Sequence, residues 1–319
     1  MVDTLTQAHA GYRHEAVLYD GPEDYLDSTA PFVADGVRAG QPVMVAVPGP
    51  RLSALRSVLR SALGDDASHV LFVDMAELGA NPAHIIPAWR EFVDDPAHRG
   101  RPLRGVGEPV WAGRRPEEVA ECQLHEALLN VALRPDTRLW LRCPYDVRAL
   151  DDAVLEEAHH SHPVLVEQDA YTGSRAYGGV QHVSTMFGAD LAEPEGRTHD
   201  LEFDDGSLRS VRATVSRLAR GAGLTQDRSA HLSLALHEVV VNSIRHGGGS
   251  GTLRVWREPG ALVCEVRDSG RIEDPLAGRR QPEPTDESGR GLWMVHHLCD
   301  LVQIRCTPRG TTVRIFTWL

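Results

Sequence analysis

Short apolar runs alternate with amphipathic stretches through the first half of this 319-residue chain. The apolar runs predict five β-strands, at residues 15–20, 42–47, 69–75, 102–108 and 138–145. The stretches between and after them predict five helices, at residues 22–39, 50–63, 83–95, 116–132 and 150–160. Pro116, followed by Glu117 and Glu118, is typical of a helix start. This alternation predicts an α/β domain, over residues 10–170, with a mostly parallel sheet covered on both faces.

The pattern changes after residue 170, where YTGSRAYGGVQ is rich in glycine and FGADLAEPEGRTHD is polar. This composition predicts an inter-domain linker over residues 171–200. Beyond it the predicted elements are a strand at LEFDD, then helices and strands at residues 207–220, 226–246, 251–258, 261–268, 290–299, 301–306 and 311–319. Their order predicts a second domain over residues 201–319, an α+β layer pair with helices on one face of a mixed sheet.

Composition narrows the class of protein. A formal net charge of -12 argues against direct nucleic-acid binding and against docking on anionic lipid. The five cysteines form no C-x-x-C pair, which favours a reducing cytosol over a disulfide framework. The chain has no apolar run of about 18 residues, and its start lacks the apolar core of a secretory signal. We therefore expect a cytoplasmic protein that neither crosses nor binds a membrane.

Three short motifs follow one another near the C-terminus. In HEVVVNSIRHG, Glu238 and Asn242 stand at i and i+4 of a predicted helix and share a face. An asparagine oxygen suits Mg²⁺, and a glutamate one turn earlier can polarise an attacking hydroxyl. In RDSG, Asp268 ends a strand and can accept a hydrogen bond from an adenine amino group, while Gly270 allows the base to approach the backbone.

The third motif, SGRGLW, places Gly289, Arg290 and Gly291 directly before or at the start of a short helix. A glycine backbone and a helix N-terminus favour phosphate binding, and the arginine adds a positive charge. Residues 271–288 can form a mobile lid over the phosphates, with Arg271, Arg279 and Arg280 as further candidate contacts. A solvated charged loop is the alternative for these three arginines.

The spacing of the first motif also occurs elsewhere in the chain. HEALLN carries Glu126 and Asn130 at i and i+4, but neither a D-x-G nor a G-x-G sequence follows it at the right distance. We interpret this pair as an ordinary helix face without a nucleotide role. The prediction of a nucleotide site therefore depends on the order and context of all three motifs.

The ordered boxes E-x-x-x-N, D-x-G and G-x-G resemble those of the GHKL ATPase superfamily, the Bergerat fold. Over residues 201–319 the chain is most similar to anti-sigma-factor serine kinases of the RsbW type. The resemblance implies ATP as cofactor, Asn242 as the Mg²⁺ ligand, Glu238 as general base and Asp268 as the adenine ligand. It implies that Gly270, Gly289 and Gly291 shape the lid and that Arg290 contacts the γ-phosphate. The implied partners are a sigma factor and an anti-anti-sigma protein that is phosphorylated on serine or threonine.

Two alternatives remain open from the sequence. A non-catalytic module can use the same boxes to bind ATP and thereby set its affinity for a sigma factor. A histidine kinase signalling to a response regulator is disfavoured, because the segment before residue 201 is too short and glycine-rich for a dimerising phosphoacceptor helix pair, although it contains His182. Dimerisation is common in this ATPase branch, so a homodimer also stays open.

The N-terminal stretch HEAVLYDGPEDYLDSTAPFVADGVRAGQPVMVAVP resembles the MEDS sensory domain. The resemblance implies a RecA-like fold without a phosphate loop, and a site for a small ligand, with apolar ligands among the candidates. The chain indeed lacks G-x-x-x-x-G-K-[ST]. Polar or reactive groups, several of them near predicted strand ends, are the candidate ligand contacts: His14, Tyr19, Glu108, Trp111, His125, Cys143 and Tyr145.

HHSHP at residues 159–163 is a candidate metal-binding sequence. No carboxylate or cysteine stands near it at ligand spacing in the sequence. We therefore expect a solvated helix end there.

Overall fold

The computed structural model describes residues 11–283 and 289–319. The chain divides into two compact units, Met1–Val183 and Ser184–Leu319. None of the helices in the described ranges combines the length and the apolarity that crossing a bilayer requires.

The first unit alternates strands and helices. Its elements are β1 (Arg13–Tyr19), α1 (Gly21–Arg38), β2 (Val43–Val47), α2 (Gly49–Leu63), β3 (Val70–Asp74), α3 (Met75–Leu78), α4 (Ile85–Asp94), β4 (Leu103–Gly107), α5 (Pro116–Ala132), β5 (Leu139–Asp146), α6 (Asp152–Ser161), β6 (Val164–Glu167), β7 (Ala170–Gly173) and α7 (Gly179–Phe187), the last of which extends past Val183. The start of α5 at Pro116 is as predicted, and the Glu118 carboxylate accepts a hydrogen bond from the backbone N–H of Arg115, 3.1 Å away.

The sheet of the first unit has the strand order β3-β2-β4-β5-β1-β6-β7. Every neighbouring pair from β3 to β6 is parallel, and β7 is antiparallel to β6. A mostly parallel α/β domain is therefore confirmed.

Both faces of this sheet are covered. Val43, Val45 and Val47 point to one face and form a core with residues of α1 and α2. On β4, Gly105 leaves room for Trp89 of α4, since a Cβ at this glycine would come within 2.7 Å of the indole ring. Burial on both sides explains why the strands read as unbroken apolar runs rather than alternating ones.

The segment predicted as a linker contains regular structure. Strand β7 pairs antiparallel with β6, and α7 follows it, so a large part of residues 171–187 belongs to elements. The glycines in YTGSRAYGGVQ indicated a flexible segment. Two of them have structural reasons at the start of α7: Gly179 has a φ of 53°, and a Cβ at Gly178 would lie 2.6 Å from Cβ of His182.

The second unit contains β8 (His199–Asp204), α8 (Leu208–Gly221), α9 (Gln226–His246), β9 (Ser250–Glu258), β10 (Ala261–Asp268), α10 (Arg290–Leu298), β11 (Leu301–Thr307) and β12 (Gly310–Trp318). Its sheet has the order β11-β12-β10-β9-β8, and the prediction of a mixed sheet is wrong, because every pair is antiparallel. Two successive helices, α8 and α9, connect β8 to β9. The second helix brings the chain back to the end of the sheet where β8 finished, so β9 runs beside β8 in the opposite direction. A single crossover helix would have produced a parallel pair.

The helices of the second unit pack on one face of the sheet, as predicted. Their apolar side chains, including Leu236 and Val240 of α9 and Val295 of α10, form one core with the inward residues of the strands. The structure thus confirms the α+β layer pair and places the ends of α9, β10 and α10 close to one another.

The outer face of this sheet carries charge. Glu265 is fully buried there and accepts two hydrogen bonds from the guanidinium of Arg314. Residues 190–193, which we call the strap, lie along this face: the carbonyl of Ala192 accepts from Arg314 at 2.8 Å, and Glu193 accepts from Arg254 and Arg267. These two arginines hold the pKa of Glu193 down at about 2.

Candidate functional site

The first and third motifs meet in the second unit. Glu238 and Asn242 lie on α9, and Gly291 lies in the first turn of α10. A Cβ atom at Gly291 would lie 3.2 Å from Oε2 of Glu238 and 3.2 Å from Nδ2 of Asn242. Only glycine leaves both side chains undisturbed at this approach, so the N-terminus of α10 sits directly over the polar face of α9.

The carboxylate of the second motif is fixed at the end of β10. Asp268 Oδ2 accepts from the hydroxyl of Ser243 at 2.6 Å, and Oδ1 accepts from the backbone N–H of Gly270 at 2.8 Å. Gly247 passes so close that a Cβ there would lie 2.5 Å from the carboxyl carbon. Since a carboxylate has about four lone-pair sites, Asp268 keeps acceptor capacity for a further donor.

Two residues beside Asp268 did not emerge from the sequence. Ser243 stands directly after Asn242 on α9, and Thr311 lies opposite Asp268 on β12, where its hydroxyl donates to the carbonyl of Gly270 at 2.9 Å. The sequence pattern places Thr311 at the start of the strand predicted over residues 311–319 and indicates no functional role for it. Gly310, directly before Thr311, has to be glycine, because a Cβ there would lie 1.9 Å from the carbonyl oxygen of Asp268.

The segment predicted as a lid is partly packed. Leu276 and Arg279 are 2% and 3% exposed, and Gly278 lies against Leu292 and His296 of α10. Arg271 and Arg280 are exposed, and Arg280 pairs with Asp274 at 3.2 Å. Residues 284–288, which complete the segment and include the serine of SGRGLW, lie outside the described residues.

The phosphate-binding prediction concerns the start of α10. Gly289 is the N-cap with a φ of 88°, a left-handed conformation that favours glycine, and Arg290 is exposed as the first helical residue. The helix therefore begins where the G-x-G spacing predicts it. The roles of Gly289, Arg290 and Gly291 toward phosphate stay predictions.

The sensory candidates of the first unit separate into two groups. Tyr19 ends β1 and donates to Glu108, just after β4, at 3.1 Å, while Arg51 pairs with Glu108 and with Asp146 at the end of β5. These residues lie at the carboxyl edge of the parallel sheet, where open α/β sheets usually bind ligands. Burial raises the pKa of Glu108 to about 8.

The other group lies on the face that β1 and β5 turn toward α5. His14 and Cys143 approach within 3.3 Å, and the ring of Tyr145 meets His162 edge to face. Burial lowers the pKa of His14 and raises the pKa of Cys143, which favours the neutral forms of both. Trp111 and His125 join neither group: Trp111 lies under the guanidinium of Arg114, and His125 is buried in α5.

Two predictions about this face are wrong. Glu126 and Asn130 do not form an ordinary helix face, because both contact the ring of His14 and Glu126 is only 1% exposed. The HHSHP sequence is not wholly a solvated helix end, because His162 is fully buried beside Glu126. The carboxylate partner that the sequence did not reveal comes from a helix 36 residues earlier in the chain.

The comparisons with known families agree with this division into two units. Residues 13–163 match the family described as MEDS, the MEthanogen/methylotroph, DcmR Sensory domain. Residues 201–317 match the family described as the histidine kinase-like ATPase domain. The chain therefore combines a MEDS domain with a histidine kinase-like, GHKL-type ATPase domain.

Among solved structures, the chain is similar to the crystal structure of the RsbU and RsbW domains of Rv1364c from Mycobacterium tuberculosis. The two sequences are 20% identical, and the match covers 39% of this chain and 33% of that chain with a TM-score of 0.31. The chain thus spans about a third of the length of that structure. No curated protein matches the chain.

Proposed function

We propose that the chain is a switch protein whose ATPase domain binds ATP and Mg²⁺ and phosphorylates a serine or threonine of an anti-anti-sigma protein. A sigma factor would be held by the same domain, and a small molecule on the MEDS domain would control the exchange between partners. The convergence of Gly291 on Glu238 and Asn242 is the observation that carries this proposal. It brings a glycine-lined helix N-terminus, a carboxylate and an amide oxygen to one place.

Each residue has a role that fits its position. Asp268 accepts from the adenine amino group, since Ser243 and Gly270 orient its carboxylate and leave acceptor sites open. The side-chain oxygen of Asn242 suits Mg²⁺, which takes few protein ligands and otherwise keeps water and phosphate oxygens. Bound Mg²⁺ supplies charge neutralisation on the β- and γ-phosphates.

Glu238 takes the proton of the attacking hydroxyl. In the reaction the serine or threonine oxygen forms a bond to the γ-phosphorus while the bond to the β-phosphate oxygen breaks, and ADP leaves. Arg290 and the N-terminus of α10 bind the phosphate oxygens, and a general base at Glu238 contributes about 10²- to 10⁴-fold. The Glu238 carboxylate lies one helical turn from Asn242, which fits a general base next to a Mg²⁺ ligand.

We place the proposed binding site for the small-molecule ligand at the carboxyl edge of the first sheet. Glu108 Oε1 accepts from Tyr19 and Arg51, whereas Oε2 is buried and makes no hydrogen bond to the residues that the structure describes. A buried carboxyl oxygen without a partner favours a ligand with a complementary polar group, an acceptor while Glu108 carries its proton and a donor once Glu108 is ionised. Binding of such a ligand would be detected as a thermal shift of wild type that Glu108→Gln reduces.

Phosphate transfer tests the catalytic part. The full chain is incubated with γ-labelled ATP and a candidate anti-anti-sigma protein, and acid-stable phosphate on the latter is followed. We expect Asn242→Ala to abolish transfer, and Glu238→Ala to slow it about 10²- to 10⁴-fold while ATP still binds. Asp205→Asn, which removes an exposed carboxylate of the same unit, is the control and should transfer normally.

The outcomes separate the competing functions. Tight ATP binding without any phosphate transfer would reject the proposed kinase activity. Partner capture that survives Glu238→Ala but not Asp268→Asn would then identify an ATP-dependent binding module. Acid-labile phosphate on the chain itself would indicate a histidine kinase. His182 is the candidate phosphoacceptor for a histidine kinase. Its Nε2 lies 2.5 Å from Oε1 of Glu157, and this contact would have to break before the nitrogen could accept phosphate.

A further inference from the structure

Four side chains with metal-ligating atoms meet inside the MEDS domain. His14 comes from β1, Glu126 from α5, Cys143 from β5 and His162 from the turn between α6 and β6. One ligand atom of each lies within 4.8 Å of the others, and all four side chains are at most 1% exposed. Four separate parts of the chain thus contribute nitrogen, oxygen and sulfur atoms to one buried cluster.

Three of the six distances between the ligand atoms are close to the edges of a coordination shell. His14 Nε2 lies 3.0 Å from Glu126 Oε2 and 3.3 Å from Cys143 Sγ, and His162 Nε2 lies 3.2 Å from the same oxygen. In a tetrahedral zinc site, bonds of 2.0–2.3 Å place neighbouring ligands about 3.3–3.6 Å apart. To accommodate the ion, the three short edges lengthen by a few tenths of an ångström, and any edge near the 4.8 Å limit shortens.

Both imidazoles are oriented by their outer nitrogens. The Nδ1 of His162 donates to the backbone carbonyl of Ala158 at 2.8 Å. The Nδ1 of His14 lies 3.1 Å from Oδ1 of Asn130, whose Nδ2 donates to the carbonyl of Ser161. Asn130 therefore presents its oxygen to His14 and accepts the hydrogen bond. Metal-binding histidines are held in this way, with Nδ1–H in a hydrogen bond and Nε2 left for the metal.

The inner ligand atoms face one another as hydrogen-bond acceptors. Since the proton of each ring lies on the donating Nδ1, the two Nε2 atoms turn lone pairs toward the Glu126 carboxylate. His162 Nε2 and Glu126 Oε2 are 3.2 Å apart but do not have hydrogen-bond geometry, and Glu126 Oε1 makes no hydrogen bond among the described residues. His14 Nε2 lies within hydrogen-bonding distance of both Glu126 Oε2 and Cys143 Sγ, and one divalent cation among the four ligand atoms satisfies their lone pairs together.

We propose that His14, Glu126, Cys143 and His162 form a four-ligand site for a divalent transition metal, with Zn²⁺ as the ion the ligands favour. Two imidazoles, a thiolate and a carboxylate are the ligand types that Zn²⁺ takes, and a tetrahedral shell closed by four protein ligands is that of a structural site. Binding releases the thiol proton of Cys143. The metal would join β1, β5 and two helices of the domain at their buried centre.

Metal content and a spectroscopic probe test the site on the full chain. Purified wild type should contain about one zinc per chain, and Cys143→Ser and His162→Gln should each lose most of it. The control is Cys122→Ser, a buried thiol of α5 outside the cluster, which should keep the metal. After chelation, Co²⁺ should restore a thiolate-to-cobalt absorption band in wild type and in Cys122→Ser but not in Cys143→Ser.

Wild type alone also decides the proposal if the variants fail to fold. Metal-free wild type should take up about one equivalent of Zn²⁺ in competition with a chromophoric chelator, and its melting temperature should rise. Uptake below about a tenth of an equivalent overturns the site. So does a cobalt band that persists in Cys143→Ser, or metal that His159→Gln releases and His162→Gln retains.

Discussion

The hydroxyl of Ser243 donates to the carboxylate of Asp268 over 2.6 Å and thereby connects α9 to the end of β10. The helix that carries Glu238 and Asn242 thus also orients the proposed adenine ligand. The two ends of the proposed nucleotide site share α9, so a change at Ser243 should alter nucleotide binding.

Replacement of Ser243 tests this connection. Ser243→Ala removes a hydrogen bond to a charged group, which is worth about 1.5–3 kcal/mol, so the affinity for ATP should fall about tenfold to a hundredfold. Calorimetric titration with ATP·Mg²⁺ measures the change. Ser216→Ala removes a hydroxyl that contacts Ser233 instead, and it should leave the affinity unchanged. Equal losses in both variants would contradict the role of the Ser243–Asp268 contact.

Substitution of Gly291 should weaken ATP binding without lowering the stability of the protein. Gly291→Ala adds a methyl group 3.2 Å from Glu238 and Asn242, while alanine favours the helix over glycine by about 1 kcal/mol. We expect ATP affinity to drop about tenfold, because displaced side chains cost about 1–3 kcal/mol, without a lower melting temperature. Gly221→Ala, at the end of α8 with open space around it, is the matched control. A fall in melting temperature without loss of affinity would refute the expectation.

Glu108 should make the stability of the MEDS domain depend on pH. Its pKa lies at about 8 in the folded chain, against an ordinary 4.5, because burial disfavours the charged form. The folded state therefore holds a proton that the unfolded state has released, and the free energy of unfolding falls as pH rises from about 4.5 to about 8. The slope from this group is at most about 1.4 kcal/mol per pH unit.

Urea unfolding across this pH range measures the effect. Glu108→Gln removes the titrating group, so its unfolding free energy should vary less with pH than that of wild type. The nearby groups are Arg51, Asp146, Tyr19 and Tyr25, and all four remain in the variant. Parallel pH profiles for the two proteins would show that Glu108 titrates at its ordinary value.

The buried pair Glu265–Arg314 should matter more than exposed pairs. Glu265 is fully buried, and its loss would leave the guanidinium of Arg314 buried without its main partner. We expect Glu265→Ala to lower the free energy of unfolding of the ATPase domain by about 3–5 kcal/mol. Arg309→Ala breaks an exposed pair with Asp190 and should cost at most about 1 kcal/mol. Chemical denaturation with both variants makes the comparison.

Periodicity predicted most elements of the fold but missed α3, β6, β7 and α7. The bounds of α5, α9 and β10 agree with the structure to the residue, because Pro116, Thr225 and the Pro259-Gly260 turn are strong local signals. Such local sequence signals do not indicate which strands pair or in which direction. The antiparallel arrangement of the second sheet depends on where paired helices return the chain, and the sequence does not encode that in any short window.

The candidate sites show the same limit. The three nucleotide motifs were recognisable because each is local and their order is informative. The His14–Cys143 contact joins residues 129 positions apart, and no spacing in the sequence indicates it. Glu126 and Asn130 were assigned to an ordinary helix face because the weakly amphipathic α5 does not reveal that it is buried on several sides.

The strap over the outer sheet face determines where the ATPase domain can be cut from the chain. A fragment that begins at Leu201, where the family match starts, would lack Ala192 and Glu193. Arg254, Arg267 and Arg314 would then lose hydrogen bonds, and the buried Glu265 would gain access to water. A fragment that begins at Ser184 keeps these contacts, so the ATPase fragment with an intact outer sheet face is longer than the family match.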